Sequence, residues 1–307
     1  MRRLVVLGVA SLLCTHPALA RTLEVGPGKP YARPSDAASA ARDGDIISIA
    51  QGEYFDCTVW RQNNLVIEGA AQGGTVVTDR TCQGKAIFVI PGNNVTVRNL
   101  TLTRARVPDM NGAGIRAEGR DLLVERVRFI DNQNGILAAP QPQGRIIVRD
   151  SEFVRNGTCE AACAHGIYVN DLALLRVERS RFRETRQGHH IKSRAARTEV
   201  VDCDIADGPN GTASYLVEVP NGGAVVVRDN RLAKGPKAEN HTGAIIIGAE
   251  GVERPTPEIL IEGNQMTAEG SYPTIFVVNL TATPAVLRRN QLRGPIRPLR
   301  GDGTSAE

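Results

Sequence analysis

One six-residue pattern recurs along most of the chain and constrains the fold more than any other feature. It reads apolar, polar, polar or Gly, any residue, polar, apolar. Successive copies follow at intervals of 23 to 34 residues. The copies are a looser IEG (67–69), then VRNLTL (97–102), VERVRF (124–129), VRDSEF (148–153), VERSRF (177–182), VVDCDI (200–205), VRDNRL (227–232), IEGNQM (261–266) and LRRNQL (287–292). Internal repeats of this length are typical of solenoids, in which each repeat stacks on the next.

The repeated segments indicate strands rather than helices, because they are short, rich in Val and Ile, and punctuated by Asn, Asp and Gly. A second strand follows each motif, and we expect the aliphatic residue at its centre to face inward. This column contains Ile115, Ile136, Ile167, Ile191, Leu216, Ile245 and Ile275. A barrel or sandwich of hairpins would need tight turns every ~8–12 residues. The wider spacing favours parallel stacking of about nine coils.

Both ends of the chain differ from the repeat. Residues 1–20 have two arginines, a short apolar run and a final Ala-Leu-Ala, which predicts a signal peptide and export to the periplasm or beyond the cell. Residues 35–42 read as a short helix that caps the first coil. The predicted domain covers residues 21–294. Residues 295–307 are rich in Pro, Arg, Gly and Asp, and we expect a disordered tail.

Composition narrows the class of function. Removing residues 1–20 leaves 35 of the 37 basic residues against 33 acidic ones, a formal charge of +2. This near-neutral balance argues against a nucleic-acid binder. No later segment has ~18 uninterrupted apolar residues, so no membrane span is predicted. We expect a monomer.

The cysteines and recurring asparagines have structural interpretations. Export allows disulfides, and we predict the bridges Cys57–Cys82, between neighbouring coils, and Cys159–Cys163, across one loop. Cys203 is left over and is expected to be buried as a small hydrophobic residue. Asparagines in the motif are expected to hydrogen-bond along the stack at a turn. They are Asn99, Asn230, Asn264 and Asn290.

The repeat resembles the pectin-lyase-like superfamily of β-helices over residues from about 45 to about 293. The opening SDAASAARDGDIISIAQGEY is similar to the start of many such domains. GHHIKSRA and SYLVEVPNGG are similar to segments of secreted proteobacterial β-helix proteins. The resemblance implies an all-β, single-stranded, right-handed parallel β-helix. It also implies one of the functions found in the superfamily, which are those of polysaccharide lyases, hydrolases and epimerases and of adhesins and phage tail proteins. The fold alone does not choose among them.

Polar side chains concentrate on one predicted outer face of the second strand. Side chains alternate along a strand, so an inward central aliphatic residue would turn His190, Lys192 and Arg194 outward. Equal offsets of 24 residues place Tyr168 beside Lys192 and Asn170 beside Arg194 in the neighbouring coil. The neighbouring coils of this face are apolar, so a polar window is predicted on an otherwise ordinary wall.

Further candidate substrate-binding residues lie close to this window. His165 and His189 begin neighbouring strands, Tyr215 and Glu218 come one coil later, and His241 precedes the next copy. All histidines after residue 20 therefore fall within about three adjacent coils, where chance would scatter them. The clustering predicts a functional site. Glu218 has a second interpretation, as an ion-pair partner of the basic residues.

The window suits an acidic polysaccharide. Elimination from a uronate needs a base for the C5 proton, positive charge for the carboxylate and an acid for the leaving oxygen. Lys192 is the candidate base, Arg194 the candidate carboxylate clamp, and Tyr168 or His190 the candidate proton donor. A C5-epimerase shares the first step. The predicted function is therefore a lyase or C5-epimerase acting on an acidic polysaccharide.

Several alternatives stay open on the sequence alone. Outward basic residues on a solenoid are often only solvated, and the chain could be a non-catalytic adhesin or a polysaccharide-binding protein of the cell envelope. A glycoside hydrolase would want facing carboxyl groups, and the window has basic residues instead. Calcium would fit the superfamily, with oxygen donors among Asp171, Asp202 and Asp204, but their spacing makes no convincing cage. The metal remains unassigned.

Overall fold

A computed structural model describes residues 20–160 and 162–306. The predicted signal peptide, apart from its last residue, lies outside this part of the chain. The described strands form three sheets in which every neighbouring pair of strands is parallel. One short helix, α1 (Pro34–Ala40), contacts the first strands of the stack, where a cap was predicted. The three sheets form the predicted parallel β-helix.

Strands are numbered in chain order, and each coil passes through sheets A, B and C in turn. Sheet A contains β1 (Thr22–Val25), β2 (Ile46–Ile49), β5 (Val66–Gly69), β8 (Val95–Arg98), β11 (Leu122–Glu125), β14 (Gln141–Arg149), β17 (Leu172–Glu178), β20 (Arg197–Val201), β23 (Ala224–Arg228), β26 (Ile259–Glu262), β29 (Ala285–Arg288) and β32 (Gly303–Ala306). Sheet B contains β3 (Gly52–Tyr54), β6 (Thr75–Thr78), β9 (Thr101–Thr103), β12 (Arg128–Ile130), β15 (Glu152–Val154), β18 (Arg181–Arg183), β21 (Asp204–Ala206), β24 (Arg231–Lys234), β27 (Gln265–Ala268) and β30 (Gln291–Arg293). Sheet C contains β4 (Thr58–Val59), β7 (Ala86–Ile90), β10 (Ala113–Ala117), β13 (Asn134–Ala138), β16 (Ile167–Val169), β19 (His189–Ser193), β22 (Tyr215–Val219), β25 (Ile245–Ile247), β28 (Thr274–Asn279) and β31 (Ile296–Arg300).

The solenoid is longer than the nine coils predicted. Sheet A has 12 strands, which corresponds to about 11 turns. The extra strands are β1 and β2 before the first motif and β32 after the last one. The predicted disordered tail is wrong, because β31 and β32 pair with β28 and β29 and continue the stack. Leu299 in this segment still packs against the hydrophobic core.

The repeated motif forms the corner between sheets A and B. Its first residue is buried in sheet A. In the eight copies after the looser IEG, the third residue has a left-handed backbone, and the last residue is buried in sheet B or, in the final copy, partly buried. The φ angles at the third position lie between 46° and 67° at Asn99, Arg126, Asp150, Arg179, Asp202, Asp229, Gly263 and Arg289. A single left-handed residue turns the chain sharply between two strands. The motif is therefore a corner with its two flanking strands.

The predicted asparagine ladder exists at the fourth motif position. Asn230 Nδ2 donates to Asn264 Oδ1 at 2.8 Å, and Asn264 Nδ2 donates to Asn290 Oδ1 at 2.9 Å. Asn99 is not part of the ladder, because it occupies the third position, where its Oδ1 accepts a hydrogen bond from Arg126. The ladder prediction is confirmed for three of the four asparagines.

Stacked side chains fill the interior. The rings of Phe129, Phe153 and Phe182 stack along sheet B with centroids 4.7 and 4.5 Å apart. Both predicted disulfides, Cys57–Cys82 and Cys159–Cys163, are present, and Cys203 is a buried free thiol. In the described residues, no helix is long and apolar enough to cross a bilayer.

The inward column of sheet C differs from the prediction at two positions. Ile191 pairs with Val217 instead of Leu216, and Ile245 pairs with Val277 instead of Ile275. The coils between these strands differ in length from the 24-residue coil that precedes them, so counting from one copy to the next misses the register.

Candidate functional site

The outer face of sheet C carries a row of three polar side chains in register. Tyr168 on β16 pairs with Lys192 on β19, and Lys192 pairs with Glu218 on β22. The predicted neighbourhood of Tyr168 and Lys192 is therefore confirmed. The flanking strands carry Leu137 and Ile246 in the same row, so the polar row is bounded by apolar residues along the stack.

Lys192 lies between two carboxylates. Its Nζ is 3.0 Å from Glu218 Oε2 and 2.5 Å from Glu250 Oε1. The same nitrogen lies 5.6 Å from the centroid of the Tyr168 ring. Only 11% of the Lys192 side chain is exposed. Lys192 therefore forms ion pairs with two carboxylates on this wall.

Arg194 joins the row to the turn after sheet C. Its Nε donates to the Tyr168 hydroxyl at 3.1 Å, and its terminal nitrogens donate to Asn221 Oδ1 and Glu250 Oε2. Burial tends to lower the pKa of Arg194, but the bonds to Tyr168 and Glu250 outweigh it and raise the pKa. Burial likewise tends to raise the pKa of Glu250, and Lys192 and Arg194 reverse this, so the pKa is lowered. Arg194 and Glu250 therefore stay ionised near neutral pH.

A stack of aromatic rings runs beside the row, at the start of the same strands. The His165 and His189 rings stack with centroids 4.8 Å apart, and His189 stacks on Tyr215 at 5.3 Å. The Tyr168 ring meets His165 edge to face at 5.1 Å. The structure therefore brings together four of the predicted site residues as one aromatic group.

Backbone amides determine the protonation of the two stacked histidines. His165 Nδ1 accepts the His189 amide at 3.0 Å, and His189 Nδ1 accepts the Tyr215 amide at 3.2 Å. In each ring Nδ1 is therefore the acceptor, and Nε2 is the nitrogen that carries a proton. Burial, the largest effect, together with the nearby charges of Lys192 and Arg194, holds the pKa of His165 well below its usual value. These rings are suited to packing and orientation rather than to accepting a proton.

Glu218 is the buried carboxylate of the site. Its Oε2 lies 2.8 Å from His189 Nε2 and 3.0 Å from Lys192 Nζ, and 5% of its side chain is exposed. Burial tends to raise the pKa of Glu218, but the contacts with His189 and Lys192 prevail and lower it to about 2. The alternative interpretation of Glu218 as an ion-pair partner of the basic residues is confirmed.

His190 does not lie on the outer wall, so the prediction of its orientation is wrong. Its side chain is 0% exposed, and it bonds Thr185 through Nδ1 at 2.8 Å and Asp207 through Nε2 at 2.9 Å. In the two preceding coils this position is Gly135 and Gly166. A Cβ at Gly135 would come within 2.7 Å of the interior Phe153 ring. The position before the central aliphatic residue therefore also faces the interior, and strict alternation fails there.

The polar group around His190 is sealed inside the solenoid. Burial lowers the pKa of His190, against the opposing effect of Asp207. Lys234 is also fully buried, and its Nζ donates to the Ser214 carbonyl at 2.6 Å. Burial lowers the pKa of Lys234 to about 8, opposed by the charge of Asp207. The side chains of His190, Thr185 and Asp207 bond one another and are all buried, so they stabilise the interior and do not form part of the outer wall.

The remaining two predicted site residues lie at the margin. Asn170 follows β16, and its Nδ2 donates to the Ala138 carbonyl at 2.7 Å, which orients it along the backbone of the preceding coil. His241 is exposed and stacks on Tyr272, with ring centroids 3.6 Å apart. This contact joins the turn before β25 to the turn before β28, so His241 is separate from the stack of His165 and His189.

The comparisons with known proteins decide the family. The family model described as "Right handed beta helix region" matches residues 47–232. The chain belongs to this family. The fold of this right-handed beta helix is similar to that of an alginate lyase from Paenibacillus sp. str. FPU-7, with a TM-score of 0.68 and 17% identity over 93% of this chain and 99% of that one.

A second solved structure has the same fold. Pectate lyase Pel9A matches this beta helix with a TM-score of 0.57 and 13% identity, over 88% of this chain and 72% of that chain. At these identities the similarity establishes the fold only. A search of curated protein sequences finds no match.

Two residues of the site were missed by sequence reasoning. Glu250 belongs to the loop between β25 and β26, and Asn221 follows β22. Neither falls on a repeated position, and Glu250 is 58 residues from Lys192. The sequence offered one general signal: basic side chains that are buried need acidic partners, and the chain must supply these from other positions.

The described part of this right-handed beta helix has no group of three or more His, Cys, Asp or Glu side chains arranged to hold a metal. Two of the candidate calcium ligands have basic partners. Asp171 pairs with Arg254 at 2.7 Å, and Asp204 pairs with Arg183 at 2.5 Å. Carboxylates already neutralised by arginine make poor candidates for calcium ligands.

Proposed function

We propose that this chain is an exported lyase or C5-epimerase that acts on an acidic, uronate-containing polysaccharide. The observation that carries the proposal is the outer row of sheet C, where a phenol hydroxyl and two cations converge. The Tyr168 hydroxyl lies 3.1 Å from Arg194 Nε, and Lys192 lies over the Tyr168 ring. The two disulfides support a location outside the cytosol. The fold shared with an alginate lyase and a pectate lyase also agrees with this proposal.

Lys192, Arg194 and Tyr168 would have different roles in the proposed reaction. Lys192 and Arg194 would neutralise the uronate carboxylate, which makes the C5 proton easier to remove. Tyr168 would exchange protons with the sugar, and the Arg194 guanidinium would stabilise the charge that develops on its oxygen. In its deprotonated form Tyr168 would take the C5 proton, the C5–H electron pair would form the C4–C5 double bond as the C4–O bond breaks, and the Tyr168 hydroxyl so formed would give that proton to the leaving oxygen. In an epimerase the proton returns to C5 from the opposite face.

The proposal revises two roles suggested by the sequence. His190 is enclosed in the interior and is no longer a candidate proton donor. Lys192 is ion-paired with Glu218 and Glu250, so we assign it to charge neutralisation rather than to the role of base. Tyr168 then becomes the candidate for proton transfer.

Glycoside hydrolysis is less consistent with the site. It would require one carboxyl group that stays protonated to serve as the acid. The carboxyl groups that contact Lys192 are those of Glu218 and Glu250, and the pKa of each is below its ordinary value. Both are therefore ionised at neutral pH and cannot donate a proton to a leaving group.

The test uses Tyr168→Phe on a panel of uronate polymers. Wild-type protein should generate the ultraviolet absorbance of an unsaturated uronate, or exchange the C5 proton for deuterium from heavy water. Tyr168→Phe should reduce this rate by ~10²–10⁴-fold while oligosaccharide affinity changes little, because only proton transfer is removed. Tyr31→Phe, in the first coil, is the matched control and should behave as wild type.

Other outcomes have definite meanings. If wild-type protein gives neither absorbance nor exchange on any uronate polymer, the enzyme proposal is wrong. Retention on an immobilised acidic polysaccharide without product would then support a non-catalytic binder or adhesin. Full activity in Tyr168→Phe would remove Tyr168 from the mechanism.

A further inference from the structure

The loop between β25 and β26, residues 248–258, folds back across earlier coils. The Glu250 amide donates to the Pro220 carbonyl at 3.1 Å, and the Glu253 amide donates to the Asn221 carbonyl at 3.0 Å. Further along, Arg254 forms an ion pair with Asp171 at 2.7 Å. The loop therefore spans from its own coil to the coil of Tyr168 and crosses the turn beside the polar row.

Glu250 brings one carboxylate into contact with both Lys192 and Arg194. Its Oε1 lies 2.5 Å from Lys192 Nζ, and its Oε2 accepts a hydrogen bond from Arg194 Nη2. One carboxylate thus bridges a lysine and an arginine, which is the arrangement that the proposed function requires for the carboxylate of a uronate. Lys192 and Arg194 cannot make these contacts with the Glu250 carboxylate and with a uronate carboxylate at the same time.

We propose that Glu250 occupies the carboxylate subsite of the substrate and must leave it before an acidic sugar binds. This inference rests on the proposed function, and it assigns to Glu250 control over affinity for acidic ligands. The loop carboxylate competes with the ligand from within the molecule. The apparent dissociation constant then equals the intrinsic one divided by the fraction of molecules in which Glu250 has moved away.

Glu250 is better suited to leave than Glu218 is. The Glu250 side chain is 40% exposed, against 5% for Glu218. Gly248 and Gly251 flank Glu250 with φ angles of 84° and 95°, and a Cβ at Gly251 would meet open space. Glu218 would still face Lys192, and Tyr168 and Asn221 would still contact Arg194. The cations would therefore keep their positions when Glu250 swings out.

The competition is measured by titrating oligouronates of one length into wild type, Glu250→Gln and Glu253→Gln in a calorimeter. Glu250→Gln keeps the size of the side chain and removes its charge. Glu253→Gln is the matched control, because Glu253 is an exposed residue of the same loop. We expect Glu250→Gln to bind about tenfold more tightly than wild type, and Glu253→Gln to match wild type. A neutral oligosaccharide of the same length should show no such difference.

Failure of this inference is distinct from failure of the proposed function. If wild type binds oligouronates and Glu250→Gln binds them equally or less tightly, Glu250 is no competitor, and the proposed function stands. If none of the three proteins binds an oligouronate, both proposals are wrong. Should Glu250→Gln not fold, Glu250→Asp replaces it. Its shorter side chain cannot bridge both cations, so the same tightening is expected.

Discussion

At the scale of single residues, the site is a set of charges that neutralise one another. Lys192 and Arg194 face Glu218 and Glu250, and the stacked rings of His165 and His189 lie beside them at the start of the same strands. Buried ion pairs of this type are costly to break from one side, because the remaining charge is left without a partner. The buried Lys192–Glu218 pair is therefore held firmly, and its contribution should be measurable in the stability of the protein.

Glu218 gives a prediction for the dependence of stability on pH. Its pKa in the folded protein is about 2, below the ordinary 4.5, so the folded protein prefers the ionised form. This stabilisation is complete above about pH 4.5 and is lost as the pH falls through about 2. Its full size is on the order of 3 kcal/mol. The free energy of unfolding of wild type should therefore fall more steeply between about pH 5 and about pH 3 than that of Glu218→Gln.

Urea denaturation at several pH values measures this difference. Glu239→Gln, a change at an exposed residue, is the control and should keep the wild-type slope. A gap between wild type and Glu218→Gln that stays constant with pH would mean that Glu218 is not held in its ionised form.

At the scale of elements, the corner between sheets A and B holds neighbouring coils together. Asn230 connects three coils: its Oδ1 accepts the Cys203 amide at 2.8 Å, and its Nδ2 donates to the Val200 carbonyl and to Asn264. All these groups are buried away from water. Each lost hydrogen bond would leave a buried polar group unpaired.

Replacing this ladder residue should be costly. We expect Asn230→Ala to lower the free energy of unfolding by about 2–4 kcal/mol, since it leaves a buried amide and a buried carbonyl unpaired. Asn210→Ala removes an exposed asparagine that contacts Glu184 and Lys237, and should cost less than about 0.5 kcal/mol. Thermal unfolding of both variants measures the difference. Equal losses would show that the ladder contributes no more than a surface contact.

The elements also show how far the sequence alone could predict the site. The offset of 24 residues between Tyr168 and Lys192 gave the correct register, because it equals the length of the coil that separates these paired residues. The same reasoning failed for Leu216, since the next coil is longer. It failed for His190 because side chains do not alternate where the chain enters sheet C. The glycines at the equivalent position of earlier coils were the available signal of an inward-facing position.

At the scale of the whole molecule, the repeat predicted the solenoid but not its length. The motif marks the corner between sheets A and B. Counting its copies therefore leaves out coils whose strands lack this corner sequence, such as β1, β2 and β32. Residues 296–306 have a tail-like composition, yet they pair with the preceding coil and continue the stack. Stacking on an existing coil supplies hydrogen bonds that composition does not reveal. Contacts from a loop to an earlier coil, such as Glu250 to Lys192, have no periodicity and could not be predicted.

The solenoid presents the proposed site as an open wall rather than a deep pocket. Tyr168, Lys192 and Glu218 lie on successive strands, so the row runs along the stack at about 4.8 Å per coil. A polymer can lie on such a wall with several sugars in contact at once. The central claim is that this wall binds an acidic polysaccharide through Lys192 and Arg194, with Tyr168 at the reacting carbon.

A crystal structure of Tyr168→Phe with a bound uronate oligosaccharide tests that claim most directly. We predict one uronate carboxylate between Lys192 and Arg194, the Glu250 side chain turned away, and C5 of that sugar within about 3.5 Å of the position of the missing hydroxyl. An oligosaccharide bound on sheet A or sheet B, with the contacts of Lys192 and Arg194 unchanged, would contradict the account.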